Sequence, residues 1–392
     1  MKSRNTPGVD QQSATPRPAP RGRVVHPLCG ADLPTLLHLT TRAKGVDAGG
    51  WLRLAIAWSA AVARAPVLAA EAFTVGRGAP HGALRVPPVF IVGHWRSGTT
   101  HLYNVISRSP AFATVSPLAT GLPWDFVLLQ RLFGPLLRRT LPKNRFIDRI
   151  PVHADSPQED ENGIAHMQPL SYYHGLYFPE RLDRELDRGI FLDGVTERET
   201  ERWRRAVRRF LVKLDRTHPG RTVVIKNPVY AARVGELAKM FPGAKFIHIH
   251  RDPRRVYPSM QNFYHVLLRQ LGLGPADHVD VDETVLRVYP RMMERLYNDL
   301  EAIPDGNKID IRFDAFEEDP IGVIGRLHSE LSLPGFDDGR EAMERYLASV
   351  TSYKKNTYPP DPELEALLMN RWGVWMRRLG YASVAGSVSA SM

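Results

Sequence analysis

VFIVGHWRSGTTHLYNVI, residues 89–106, is the stretch on which the fold and the chemistry turn. Four apolar residues run into Gly93, a polar stretch follows from His94 to Thr100, and an apolar rhythm resumes at Leu102, Val105 and Ile106. That order predicts a buried strand, a loop and a helix. Ligands of open α/β sheets sit at the carboxyl ends of strands, where loops meet helix N-termini. Backbone N–H groups are unpaired there and the helix dipole favours an anion. Gly93 and Gly98 let the backbone approach a ligand closely. Ser97, Thr99 and Thr100 add hydroxyl donors, and Arg96 adds a planar cation with several donors. A capped strand-to-helix turn needs one such residue, not this cluster, so the loop reads as an anion site.

The composition bounds the alternatives. A chain of 392 residues with 43% hydrophobic and 24% charged residues is long enough for one large or two medium globular domains. A formal charge of +10 points to an anionic partner: a nucleotide, a nucleic acid or an acidic membrane surface. Cys29 is the only cysteine, which excludes an intramolecular disulfide and a cysteine-based zinc site and suits a reducing, cytoplasmic setting. Residues 1–26 lack an apolar signal-peptide core and read as a disordered basic tail. WLRLAIAWSAAVARAPVLAAEAF, residues 51–73, is interrupted by Arg53, Arg64 and Glu71 and broken by Pro66. Its charge-free runs are short of the roughly 20 residues of a membrane span. It reads as a packed helical hairpin, with a membrane-touching helix anchored by Trp51 and Trp58 as the second option.

Residues 27–85 form an N-terminal helical segment, with breaks expected at Gly49-Gly50 and Pro66; residues 86–385 form the main domain. Strands are expected at 89–92, 222–226, 245–250 and 308–313, with a weaker one at 112–115. Helical patterns lie between them at 99–109, 157–168, 197–214, 230–241, 254–270, 282–303 and 320–331. The alternation predicts an α/β fold, a central parallel β-sheet flanked by helices. The Arg-rich run 202–210 reads as a solvated helix face.

Gly93 and Gly98 fit the first half of a P-loop, but Thr99 stands where the phosphate-bridging lysine belongs and the cation sits earlier, at Arg96. WRSGTTHL resembles instead the 5′-phosphosulfate loop of the sulfotransferases that use 3′-phosphoadenosine 5′-phosphosulfate (PAPS), in its arginine version. The resemblance implies a P-loop-like sulfotransferase fold and a second anion site for the 3′-phosphate, made by an Arg at a strand end and a Ser two turns into the next helix. KFIHIHRDPRRVYPSM supplies Arg251 and, eight residues on, Ser259. TVVIKNP resembles the strand that ends in Lys-Thr-His in cytosolic members, with Lys226 placed 25 residues before Arg251. By that resemblance Lys226 reaches the bridging or sulfuryl oxygens. SYKKNTY resembles a basic loop that closes over the nucleotide, with Lys354 or Lys355 at the 3′-phosphate.

The resemblance implies in-line transfer of a sulfuryl group from PAPS to a hydroxyl, or second to an amine, with adenosine 3′,5′-bisphosphate as product and no metal required. Arg96 and Lys226 are the cations expected at the leaving group. The general base departs from the family pattern. Pro228 occupies the position of the histidine, and Asp125 is the only acid in the window where other branches carry a glutamate. The segment 153–167 holds Asp155, Glu159, Asp160, Glu161 and His166. Ser156 to Glu159 fits a capping box with Pro at its first helical position. Glu159 or Glu161 is the first candidate base and His166 the second. Aromatic runs near 124, 172 and 263 suit either core or an apolar pocket for a small-molecule, lipid or carbohydrate acceptor. No nucleic-acid partner is expected; the oligomeric state and membrane contact through the N-terminal helices are left open. The rivals are a P-loop kinase of small molecules and a non-enzymatic basic module that binds nucleic acid or a membrane surface.

Overall fold

The computed structural model describes residues 25–75, 82–132, 156–350 and 361–382. Lys354, Lys355 and Asp155 lie outside the described residues, as does nearly all of the basic tail. The strands are β1 (Val89–Val92), β2 (Phe112–Ala113), β3 (Thr222–Lys226), β4 (Lys245–His250) and β5 (Lys308–Arg312). They form one sheet in the order β2-β3-β1-β4-β5, with every neighbouring pair parallel. The expected fifth strand stops one residue early because Phe313 opens the helix Phe313–Glu318.

Burial on both faces explains why the central strand reads as an unbroken apolar run. Phe90 and Val92 enter one core with Ile225 and Phe246, while Val89 and Ile91 enter the other with Val224, Ile247 and Ile311. Each of these side chains contributes roughly 1.5–3 kcal/mol by leaving water. Because β1 is central and the chain crosses to opposite sides for β3 and β4, the carboxyl end of β1 is a topological switch point.

The N-terminal segment differs from expectation. The helices are Leu33–Thr40 and Ala48–Thr74, so the turn falls before Gly49-Gly50, and Pro66 lies inside the second helix without ending it. Gly50 is buried, and a Cβ there would lie 1.9 Å from the Leu273 carbonyl oxygen. The helix survives its proline because it is tied down on both sides of it. Arg64 pairs with the buried Asp125 at 2.5 Å and donates to the Cys29 carbonyl at 2.6 Å. Glu71, fully buried, pairs with Lys213, which also donates to the carbonyls of Pro123 at 2.7 Å and Trp124 at 3.0 Å. The Arg-rich run lies in helix Glu197–Thr217, where Arg204 is ion-paired to Glu197 and to Glu236. It is therefore a salt-bridged face as much as a solvated one.

Burial pushes the Lys213 ammonium down to about 8, and Glu71 works against that shift. Removing the counter-charge should be costly, because a buried cation would remain unpaired. Glu71→Gln should lose roughly 3 kcal/mol of stability in denaturant unfolding; a loss within error of zero would mean that this pair does not anchor the helix.

Candidate active site

The carboxyl ends of the strands meet at one place. β1 hands over to the loop 93–98, which turns through three left-handed residues: Gly93 at φ 144°, Arg96 at φ 68° and Gly98 at φ 95°. A Cβ on Gly93 would lie 2.4 Å from the Ile249 carbonyl oxygen, and one on Gly98 would lie 2.0 Å from the Phe313 ring. Both glycines are thus required by space as well as by φ. Arg96 pays for its left-handed backbone with strain of about 1–3 kcal/mol. Its guanidinium Nε donates to Ser259 Oγ at 2.7 Å.

Ser259 is carried by the helix Pro253–Leu271, which opens after β4 with Asp252 as its N-cap. Arg251 stands at the end of β4, stacked over Phe313 at 4.5 Å, and is close enough to Arg96 for the two charges to repel. Burial is the main cause that lowers the Arg251 guanidinium below its usual range. Among the described residues neither Arg96 nor Arg251 forms an ion pair with a carboxylate. Two half-buried guanidiniums, one of them holding a hydroxyl, can bind an anion.

The third group comes from β3. Lys226, 2% exposed, donates to Thr100 Oγ1 at 3.1 Å and is ion-paired to Glu159, which is 18% exposed. Glu159 arrives on the segment after residue 155, which Gln158 fastens by donating its N–H to the Val115 carbonyl at 2.9 Å, just beyond β2. The loop Arg96–Thr100, Lys226, Glu159, Arg251 and Ser259 are therefore brought together.

Two of the candidates stand apart from that group. Glu161 is fully buried behind it, accepting from Ser171 Oγ at 2.6 Å and Asn227 Nδ2 at 3.1 Å. His166 is fully buried beside Gly30, with His174, His26 and Arg64 as its titratable neighbours. Burial drives its imidazole down to about 3. The capping box is also corrected: the helix begins at Glu161 with Asp160 as its N-cap and no side-chain cap. Glu159 is drawn away from a capping role by the Lys226 ammonium. Asp125 is spent on Arg64.

Comparison with known proteins decides the family. Residues 87–338 match the sequence profile described as Sulfotransferase family. The chain belongs to that sulfotransferase family. It is 33% identical over 307 residues, 78% of each chain, to omega-hydroxy-beta-dihydromenaquinone-9 sulfotransferase Stf3 of Mycobacterium bovis, and equally to Stf3 of Mycobacterium tuberculosis. Its fold is similar to sulfotransferase STF1 of Mycobacterium tuberculosis, with TM-score 0.60 at 16% identity over 86% of this chain and 90% of that one. It is also similar to STF9 of Mycobacterium avium, with TM-score 0.61 at 16% identity over 89% and 96%. The protein is a PAPS-dependent sulfotransferase. Membership sets aside both the kinase and the non-enzymatic basic module.

Several residues packed around this cluster were not picked out from the sequence. Asn227 donates to Asp160 at 2.8 Å and to Glu161, and its Oδ1 accepts from the Val229 N–H at 3.0 Å. Tyr230 donates to the other Asp160 oxygen. Phe313 supports Gly98 and Arg251 at once. An Asn-Pro pair after a strand was the one available hint, since it marks a turn that needs a side-chain acceptor. Among the described residues, no group of three or more His, Cys, Asp or Glu side chains is arranged to hold a metal ion.

Burial pushes Asp160 up from 3.8 to about 7, against the hydrogen bonds from Tyr230 and Asn227. Between those values the folded protein keeps a proton that the unfolded chain has lost. Stability contributed by Asp160 therefore falls as pH rises through that window and levels off above it. Asp160→Asn has no such proton to lose. Its melting temperature relative to wild type should rise between about pH 4 and about pH 8; a difference that stays constant with pH would show that Asp160 does not titrate there.

Proposed function

We propose that this sulfotransferase moves the sulfuryl group of PAPS to the hydroxyl of a lipid acceptor, with Glu159 as general base. The observation that carries this is the chain Glu159–Lys226–Thr100, which ties a reachable carboxylate to the phosphate loop through one buried ammonium. The loop N–H groups, Ser97, Thr99 and Thr100 hold the 5′-phosphosulfate, and Arg251 with Ser259 holds the 3′-phosphate. Arg96 and Lys226 stabilise the charge that develops on the leaving oxygen. Lys226 can exchange the Glu159 carboxylate for a sulfonate oxygen. The carboxylate so released is then free to take the acceptor proton, within one hydrogen bond of the reacting centre. Glu161 and Asp160 hold this segment in position and do not touch the acceptor.

The lipid class of acceptor is supported by two observations. The relative Stf3 is named for a hydroxylated menaquinone derivative. Beside the loop, Trp95 packs on Tyr172 at 5.1 Å and on Phe263 at 6.4 Å, and Tyr173 stacks behind Tyr172 at 4.6 Å. Trp95, Tyr172 and Phe263 are core side chains, and an apolar core reaching up to the loop suits a largely apolar alcohol. The sulfotransferase is then a cytoplasmic enzyme that meets its acceptor at a membrane.

Two substitutions test the assignments. Glu159→Gln should slow turnover by about 10²–10⁴-fold while calorimetry gives unchanged affinity for adenosine 3′,5′-bisphosphate. Turnover near that of wild type would remove Glu159 as the base. Arg251→Ala should weaken the bisphosphate by about tenfold or more and adenosine 5′-phosphate far less, since a charged hydrogen bond to the 3′-phosphate is lost. Equal losses for the two nucleotides would take Arg251 out of the 3′-phosphate site.

A further inference from the structure

The helix Ala48–Thr74 is turned inside out relative to a surface helix of a soluble protein. It is 27 residues long, with a mean hydropathy of 1.4 over its most apolar window, and is long and apolar enough to cross a membrane. Its three charged side chains nevertheless face the protein. Arg53 donates to the Gly272 carbonyl at 3.1 Å, Arg64 holds Asp125 and Cys29, and Glu71 holds Lys213. A helix so committed cannot leave the fold to span a bilayer.

The opposite face meets solvent, and that face is where an amphipathic helix carries its lysines and glutamates. Here it carries none. Trp51, Leu52 and Val62 are 49%, 60% and 60% exposed, and Ala55, Ser59 and Pro66 are exposed between and beyond them. These positions recur every three or four residues, so they form one stripe. The preceding helix, packed on this one, also exposes an apolar side chain, Leu37.

The occupant follows from size and charge. From Trp51 to Pro66 the stripe is about 24 Å long and about 10 Å wide, roughly 240 Å². A stable pair of proteins buries about 800 Å² on each partner, so a second copy is poorly served. A bilayer sets no such minimum and accepts a single apolar stripe lying in its interfacial plane, with a tryptophan at one end. The charge favours anionic headgroups. Arg42 and Lys44 are exposed in the turn before the helix, and residues 1–24 carry Lys2, Arg4, Arg17, Arg21 and Arg23 against Asp10 alone. Each such cation near an anionic surface adds about 1 kcal/mol.

We propose that the outer stripe of helix Ala48–Thr74 docks this sulfotransferase on the surface of an anionic bilayer, laying the helix flat at the headgroup boundary. The inference deepens the reaction proposed above and rests on it for the lipid acceptor that such a surface would deliver. The test is co-sedimentation of the full chain with vesicles of phosphatidylglycerol and phosphatidylcholine, beside calorimetric titration with adenosine 3′,5′-bisphosphate in their absence. Wild type should sediment with these vesicles. Leu52→Ser combined with Val62→Ser should weaken that binding by at least about tenfold, from the apolar area lost. Ser59→Leu should strengthen it, which keeps the proposal testable if the double variant fails to fold. All of them, when folded, should bind the bisphosphate as wild type does. Wild type that stays in the supernatant would overturn the proposal. So would a Ser59→Leu variant that binds no better than wild type, or sedimentation velocity showing a dimer that the double variant dissolves. Vesicle binding without any bisphosphate binding would support the docking and sink the donor assignment instead.

Discussion

The contact between Gly98 and Phe313 governs the geometry of the site. β5 delivers an aromatic ring to the underside of the loop, and the loop can rest on it only where no Cβ intervenes. The same ring carries the Arg251 guanidinium on its face. One side chain thereby sets the height of the loop and the direction of the Arg251 guanidinium, two groups that arrive from different strands. A packed ring at the first residue of the helix after β5 fixes the spacing of the two better than independent loops would.

The electrostatics follow the same division. Away from the site the arginines are neutralised: Arg204 by Glu197 and Glu236, Arg287 by Asp183 and Asp187, Arg291 by Asp187 and Asp193. At the carboxyl edge of the sheet, Arg96 is held by the Ser259 hydroxyl rather than by a carboxylate, and Arg251 feels Glu317 and Asp314 on one side and the repulsion of Arg255 and Arg96 on the other, with no ion pair among the described residues. Keeping two guanidiniums half-buried and mutually repelling costs stability. An anion between them would offset that cost.

Legibility in the sequence tracked how local each cause is. The strand–loop–helix at 89–106 was readable because its glycines, hydroxyls and arginine act within one turn of chain. Arg251 and Ser259 were picked out only by the resemblance of their spacing to a family motif; the strand and the helix that carry them stand where the local pattern puts them. The four main strands stand where β-branched runs end at turn residues. What failed was decided by distant partners. Pro66 looked like a break, but Asp125 and Lys213 hold the helix on both sides of it. Ser156 to Glu159 looked like a cap, but Lys226, 67 residues later in the chain, takes Glu159. Residues 51–73 read as a packed hairpin with a membrane-touching helix second, because the charges at positions 53, 64 and 71 interrupt the apolar run, and only their partners show that they point into the protein.

The three consecutive acids, Glu159, Asp160 and Glu161, illustrate how a run of like charges can be resolved into different roles. Asp160 is fully buried, and burial favours its protonated form near neutral pH. Glu161 is raised by burial too, yet it faces the Arg233 charge and accepts from Ser171 and Asn227. Both therefore have their oxygens committed to donors that hold the start of the helix against β3. Only Glu159 turns toward the loop, and its partner is a cation that an incoming anion can claim.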